Sequence, residues 1–309
     1  MIINKDIIII GAGPAGMSAG LYLARSKYSF IIIEKEMSGG KLNITTEIEN
    51  YPGVGKIDGF SLGMKIKKQL EEFNVEFHSD NIVDIKKDEE RNVFFSTGEK
   101  DQYVSKIVVI ATGSTFKKLG IKNEKEFLGN GISYCAVCDG FFFKKKDVAV
   151  FASSKKGYLE ALYLANIVNK LYLISDTNED DEENDLENLK SLKNVIFLPY
   201  FRIVSFNGED RLTSLTIKNI KTKEEETVNV EGCFPFLGDV PSSYIAQRLN
   251  IEMENSYIIT NQFMETSMKG LYAVGDIIKK PLRQVVTACS DGAIAATGII
   301  RELNSRNNK

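Results

Sequence analysis

Two apolar runs organise the N-terminal part of the chain: Ile7–Ile10 is four consecutive isoleucines, and Phe30–Ile33 reads FIII. Short apolar runs bounded by glycine or charge predict strands. Between them, PAGMSAGLYLA predicts a helix from Pro14 to Ala24, with the proline in the first turn, where its missing N–H is not needed. The same strand–turn–helix order recurs at Val148–Leu164, VAVFASSKKGYLEALYL. Near the C-terminus a short apolar strand, GLYAVGDI, precedes a helix predicted from about Gln284 to Leu303. Alternation of this kind predicts an α/β fold with parallel sheets.

The turn after the first run carries Gly11, Gly13 and Gly16 in GxGxxG spacing. Following a strand and opening a helix, it reads as a dinucleotide fingerprint: a tight turn, a close approach of backbone to pyrophosphate, and close helix–strand packing. The helix N-terminus then turns unpaired N–H groups toward the phosphates. Glu34 closes the second strand, 18 residues after Gly16, where a carboxylate accepts from both ribose hydroxyls and repels a 2′-phosphate. A glycine turn without a ligand is the alternative. Gly275-Asp276, after the C-terminal strand and before the last helix, suits a second phosphate- or ribityl-holding element. Together the two ends give the pattern of a flavoprotein whose flavin domain is split along the chain.

A length of 309 residues suits about two domains. The 43% hydrophobic and 26% charged fractions are those of a globular protein, and a net charge of -3 speaks against general nucleic-acid or membrane-surface binding. No apolar run approaches the ~18 residues of a membrane span. The opening isoleucines run directly into the glycine motif, so they are not read as a signal peptide, and a cytoplasmic location is expected.

YCAVCDG brings chemistry of a different kind. Cys135 and Cys138 form a CxxC, which in a chain with β–α–β units reads first as a redox dithiol, with Asp139 placed to pass protons. A half-occupied metal knuckle or two buried thiols is the alternative. With one histidine, His78, and no second CxxC, a four-ligand zinc site lacks its parts, and no metal is expected. His78 is read as structural, and Cys233 and Cys289 as small core residues.

The order and spacing of Gly11–Gly16, GGKL at Gly39–Leu42, ENYPG at Glu49–Gly53, ATG at Ala111–Gly113, CAVCDG, GLYAVGD and RQVV resemble the low-molecular-weight bacterial thioredoxin reductases over essentially the whole chain. The resemblance implies an α/β fold of two Rossmann-like, three-layer ββα domains. An FAD domain over 1–115 and 240–309 would be split by a central NADPH-domain-like module over 116–239. It implies FAD held by Gly11, Gly13, Pro14, Ala15, Gly16, Glu34, Lys35, Gly40, Lys41, Leu42, Asn50, Ala111, Thr112, Gly113, Gly275, Asp276, Arg283, Gln284 and Val285. It further implies thioredoxin as the disulfide substrate and a homodimer. Cys138 would be the sulfur nearest the flavin, Cys135 the one exchanging with thioredoxin, and Asp139 the acid/base.

One part of the family pattern is broken. The central module of such reductases holds NADPH with a second glycine motif and a downstream His-Arg-Arg cluster. Here Ala152, Ser154 and Gly157 stand at the glycine positions, and Ser175-Asp176-Thr177 at the basic cluster, followed by the acidic run Glu179, Asp180, Asp181, Glu182 and Glu183. Losing two charged hydrogen bonds costs about 3–6 kcal/mol, or affinity on the order of 10² to 10⁴. The expectation is therefore against NADPH. Residues 115–160 carry nine lysines against five acids, a surplus that would steer a small acidic electron carrier or is merely solvated. On these features the chain looks most like the ferredoxin-dependent flavin thioredoxin reductases, with ferredoxin as donor. An NADPH-dependent reductase with an atypical phosphate site, a flavin-dependent dithiol oxidase and a non-enzymatic flavin-binding scaffold remain as alternatives.

Overall fold

In the computed structural model the first isoleucine run lies at the centre of a sheet. β1 (Ile2–Ile10) pairs in parallel with β2 (Phe30–Glu34), Ile7–Ile10 opposite Phe30–Ile33, and α1 (Pro14–Leu23) connects them. After a 3-10 turn (Gly40–Ile44) and α2 (Gly59–Glu72), β3 (Phe77–Ser79) extends the sheet beyond β2. β4 (Ile82–Asp88) and β5 (Val93–Gly98) form an antiparallel pair, and β6 (Gln102–Ile110) returns parallel beside β1. The structure describes residues 1–45, 47–178 and 185–307, without the side chains of 44, 137, 138, 239 and 307.

The chain leaves this sheet through β7 (Ser114–Phe116) and enters a second. A single helical turn, α3 (Ala136–Asp139), precedes β8 (Asp147–Phe151), α4 (Lys155–Ala165) and β9 (Lys170–Ser175). α5 (Asp185–Lys190) and β10 (Val195–Pro199) follow. A three-stranded antiparallel sheet, β11 (Phe201–Gly208), β12 (Leu212–Asn219) and β13 (Glu225–Asn229), leads to β14 (Gly232–Pro235), parallel to β8. β15 (Asp239–Pro241) carries the chain back, and β16 (Met253–Glu254) and β17 (Tyr257–Ile258) make a short hairpin. β18 (Leu271–Ala273) then pairs with the C-terminal half of β6, and the chain ends on α6 (Val285–Asn307). The last helix starts within a residue of the predicted position and runs four residues further.

Two compact units result: Met1–Thr45, Tyr51–Thr115 and Val240–Lys309 in one, Thr46–Asn50 and Phe116–Asp239 in the other. The break at 46–50 lies inside the stretch that sequence reasoning gave wholly to the first domain. It has no compositional mark, because it interrupts one unit by only five residues. In the first unit, the alternating faces of β1, β2 and β6 feed two cores. Ile7, Ile9, Ile32 and Val109 pack against α1 and α6, while Ile8, Ile10, Ile31 and Val108 pack on the opposite face. The second unit repeats this around Val148, Val150 and Leu173 on one face and Ala149, Phe151 and Ile174 on the other. Burial of both faces explains why these strands are apolar runs and not alternating patterns. No helix among the described residues is long and apolar enough to cross a membrane.

Candidate functional site

The first unit gathers most of the predicted cofactor residues at the C-terminal ends of β1, β2, β6 and β18. Gly11 has φ +110°, a conformation L side chains rarely adopt, and its added Cβ would meet the Ala111 carbonyl oxygen at 2.4 Å. A Cβ on Gly16 would meet the Gly11 oxygen at 2.0 Å, so α1 rests directly on the turn. At Gly13 an added Cβ would meet nothing within 4 Å. Gly13 is also the N-cap of α1 and provides no side chain to cap its first N–H groups.

The flanking residues are tied to this turn. Ala12 N–H donates to Glu34 Oε2 (2.7 Å) and Glu36 N–H to Glu34 Oε1 (3.1 Å), holding the carboxylate at the end of β2. Lys35 is turned outward, paired with Glu36 at 3.6 Å. Gly39 N–H donates to Ala12 O (2.8 Å), which seats the segment of Gly40, Lys41 and Leu42 beside the fingerprint. Lys41 Nζ reaches Ser114 Oγ (2.7 Å) and Asp276 Oδ2 (3.3 Å). Ala111 N–H donates to Ile10 O (2.8 Å), Thr112 Oγ1 to Ser242 O (2.8 Å), and Gly113 O accepts from Ser242 N–H (2.9 Å).

On the C-terminal side, Gly275 has φ +82° and its N–H donates to Asp291 Oδ2 (3.1 Å); Lys280 Nζ pairs with the same oxygen at 2.6 Å. Arg283 Nε donates to Asp276 O (3.3 Å), and its guanidinium stacks on Tyr257 at 4.0 Å. Gln284 N–H donates to Thr287 Oγ1 (3.1 Å) just before Val285 opens α6. Asn50 is the exception among the predicted cofactor residues, since it groups with the second unit.

Sequence reasoning missed Asp291 and Lys280, whose role depends on a contact across the first turns of α6. It also placed Cys289 in the core. The residue is half-buried instead: Tyr51 Oη donates to its Sγ at 3.8 Å, and the Sγ reaches Pro14 O at 3.9 Å. Burial raises both groups, Tyr51 to about 12. Cys233 is fully buried, and desolvation pushes its thiol well up. His78 Nδ1 meets Tyr103 Oη at 2.9 Å in a part-buried network with Asp101.

The second unit holds the CxxC. Cys135 is disulfide-bonded and half-buried, immediately before α3, while Cys233 and Cys289 are free. The side chain of Cys138 lies outside the described part of the structure. Ser133 joins the motif in a way the sequence did not announce. Its Oγ donates to Asp139 Oδ2 (2.6 Å) and accepts from Cys135 N–H (3.1 Å), fixing the acid against the cysteine backbone. Behind it, buried Glu124 accepts from Leu119 N–H (2.8 Å), Gly120 N–H (2.7 Å) and Tyr134 Oη. Among the described residues no cluster of three or more His, Cys, Asp or Glu is placed to hold a metal ion.

The second nucleotide frame is also in this unit. Ser154 is the N-cap of α4, and its Oγ accepts from Gly157 N–H at 3.4 Å, so this helix start is closed by its own side chain where α1 is left open. An added Cβ on Gly157 would sit 2.8 Å from Ala152 Cβ, the counterpart of the Gly16 contact. Ser154, Lys156, Gly157 and Glu160 line a cleft facing Phe116, Tyr134 and Pro235–Gly238. The acidic run at 179–183 lies outside the described residues.

The chain matches the pyridine nucleotide-disulphide oxidoreductase family model over residues 5–292. It is 37% identical over 306 residues to a thioredoxin reductase of Ureaplasma parvum, covering 98% of each chain. The crystal structure of thioredoxin reductase from Streptococcus pyogenes superposes with a TM-score of 0.93 at 36% identity, over 98% of this chain and 99% of that one. A ferredoxin-flavin thioredoxin reductase from Clostridium acetobutylicum matches at 26% identity and a TM-score of 0.54, over 99% and 100%.

Proposed function

Because the chain belongs to the pyridine nucleotide-disulphide oxidoreductases, and within them to the thioredoxin reductases, we propose that it reduces the disulfide of thioredoxin through Cys135 and Cys138. It is a flavin-dependent disulfide oxidoreductase of that type. The first unit fits FAD: Gly13 leaves room where an added Cβ would meet nothing at an uncapped helix start, Glu34 holds a carboxylate against the turn at Ala12 N–H, and Lys41 pairs with Asp276. When bound, FAD supplies the two electrons that open a disulfide.

The observation that carries the reading is the Cys135–Ser133–Asp139 arrangement. With the pair reduced, Cys135 as thiolate attacks the thioredoxin disulfide and one thioredoxin sulfur leaves. Cys138 then attacks Cys135 in the mixed disulfide, releases reduced thioredoxin and restores the internal disulfide. Asp139, held by Ser133, exchanges the protons of these steps. Cys135→Ser is expected to keep a normal flavin spectrum and lose thioredoxin reduction; full activity in that variant would refute the assignment.

For the electron donor, support goes to a reduced pyridine nucleotide and not to ferredoxin. The central β–turn–α–β frame is intact at the main-chain level, with a cleft at the start of α4, despite its altered glycines. The relative with ferredoxin in its name is a more distant match than the Streptococcus pyogenes enzyme. Of the lysines expected to draw an acidic carrier, Lys144 and Lys146 lie over Phe141 and Phe143.

A further inference from the structure

The two β–turn–α–β frames share main-chain hydrogen bonds, although Ser154 caps α4 where α1 has no side-chain cap. Gly11 N–H donates to Ile33 O (2.8 Å), and Ala152 N–H to Ile174 O (3.1 Å). Ala111 N–H donates to Ile10 O and Phe236 N–H to Phe151 O, both at 2.8 Å. The ribose end follows the same correspondence. Glu34 Oε1 accepts from Glu36 N–H (3.1 Å), and Ser175 Oγ accepts from Thr177 N–H (3.3 Å). Ser175 Oγ also meets Ser153 Oγ at 3.3 Å, where Ala12 N–H meets the Glu34 carboxylate.

Asp176 follows directly, 19 residues after Gly157, its N–H on Ser153 Oγ (3.4 Å). By this correspondence Ser175 stands where Glu34 does and Asp176 one residue on; in such frames an acid near this place accepts the ribose 2′-hydroxyl, and an arginine nearby accommodates a 2′-phosphate. A cation beside it, Arg202 on β11, pairs with Asp176 Oδ2 at 3.6 Å. A 2′-phosphate, with about two negative charges at neutral pH, would have to displace Asp176 from Arg202 and then lie against the carboxylate. A ribose diol meets an acceptor and a hydroxyl instead.

We propose that Asp176 sets nucleotide specificity in the central unit, admitting NADH and rejecting NADPH. This rests on the reading of that unit as the donor site.

The test is calorimetric titration of the holoenzyme with NADH, NADPH, 5′-AMP and 2′,5′-ADP, under anaerobic conditions for the first two. The adenosine fragments report the ribose contact without any flavin chemistry. NADH and 5′-AMP are each expected to bind at least ~10-fold tighter than the 2′-phosphorylated partner. Asp176→Arg is expected to shrink that ratio by ~10-fold or more, with the flavin spectrum and circular dichroism unchanged, since Asp176 is part-exposed and outside the core. Equal or tighter NADPH binding, or a ratio unmoved by Asp176→Arg, overturns the proposal. If no nucleotide or fragment binds, the proposal and the nucleotide-donor reading fall together. Thioredoxin reduction by dithionite-reduced enzyme still tests the Cys135 chemistry on its own.

Discussion

Gly13→Ala and Gly16→Ala separate cofactor binding from folding in the first unit. At Gly16 the new carbon would lie 2.0 Å from the Gly11 oxygen and 3.2 Å from Ala111 Cβ. Relief requires α1 to shift off the sheet, and overpacking of this kind costs about 1–3 kcal/mol or more. At Gly13 the new carbon meets no protein atom within 4 Å, so the fold pays only the poorer N-cap, about 0.5–1 kcal/mol. The open face it fills is, however, the one assigned to the pyrophosphate. Losing one charge-assisted hydrogen bond costs about 1.5–3 kcal/mol, or roughly 10- to 150-fold in affinity. Urea unfolding of the apoprotein would measure the first effect, and quenching of flavin fluorescence on titrating FAD into it the second. Gly13→Ala should keep its apoprotein stability within ~1 kcal/mol and bind FAD more than ~10-fold weaker. A Gly13→Ala protein binding FAD with unchanged affinity would refute the argument that this backbone face carries the phosphates.

Ser133→Ala removes the donor that holds Asp139, so thioredoxin reduction should slow about 10-fold with a displaced pH profile, while Ser133→Thr restores both; an unmoved profile would make Ser133 merely structural. Tyr51 is raised by burial, chiefly, to about 12, so its contribution to stability is complete below its ordinary value near 10 and is lost as pH rises toward 12. Melting temperatures between pH 9 and 12 should therefore fall less steeply in Tyr51→Phe than in the parent protein. Asp291→Asn leaves Lys280 buried without its counter-charge and weakens the hold on Gly275, which should cost about 3–5 kcal/mol in urea unfolding. The homodimer implied by the family resemblance is checked by light scattering after size-exclusion chromatography.

The parts of the site legible in the sequence are those where one residue type at one spacing has one physical use. Gly11 and Gly16 are such positions, because no side chain fits the turn they make. Ile7–Ile10 is another, because only a strand covered on both faces is apolar at every position. Glu34 was singled out by its distance from Gly16 as a ribose acceptor, and the structure shows its two oxygens accepting from the Ala12 and Glu36 N–H groups, contacts that the spacing did not predict. Asn50 was assigned by resemblance alone, and the five-residue grouping at 46–50 that contains it left no trace in composition.

The central unit shows the limit from the other side. Replacement of glycines and arginines correctly marked the central frame as altered, yet the inference to a ferredoxin donor went past what side-chain loss can decide. Main-chain hydrogen bonds keep a nucleotide frame whatever the side chains are, and Ala152 and Phe236 keep theirs.

By itself, then, the sequence determined the strand–turn–helix frames, the first glycine cradle and the paired thiols, because each depends on residues close together in the chain. Only the tertiary structure brought Lys41 to Asp276, Asp291 to Gly275 and Arg202 to Asp176. Those contacts include two ion pairs, Lys41–Asp276 and Arg202–Asp176. They join elements distant in the sequence, so no local pattern encodes them.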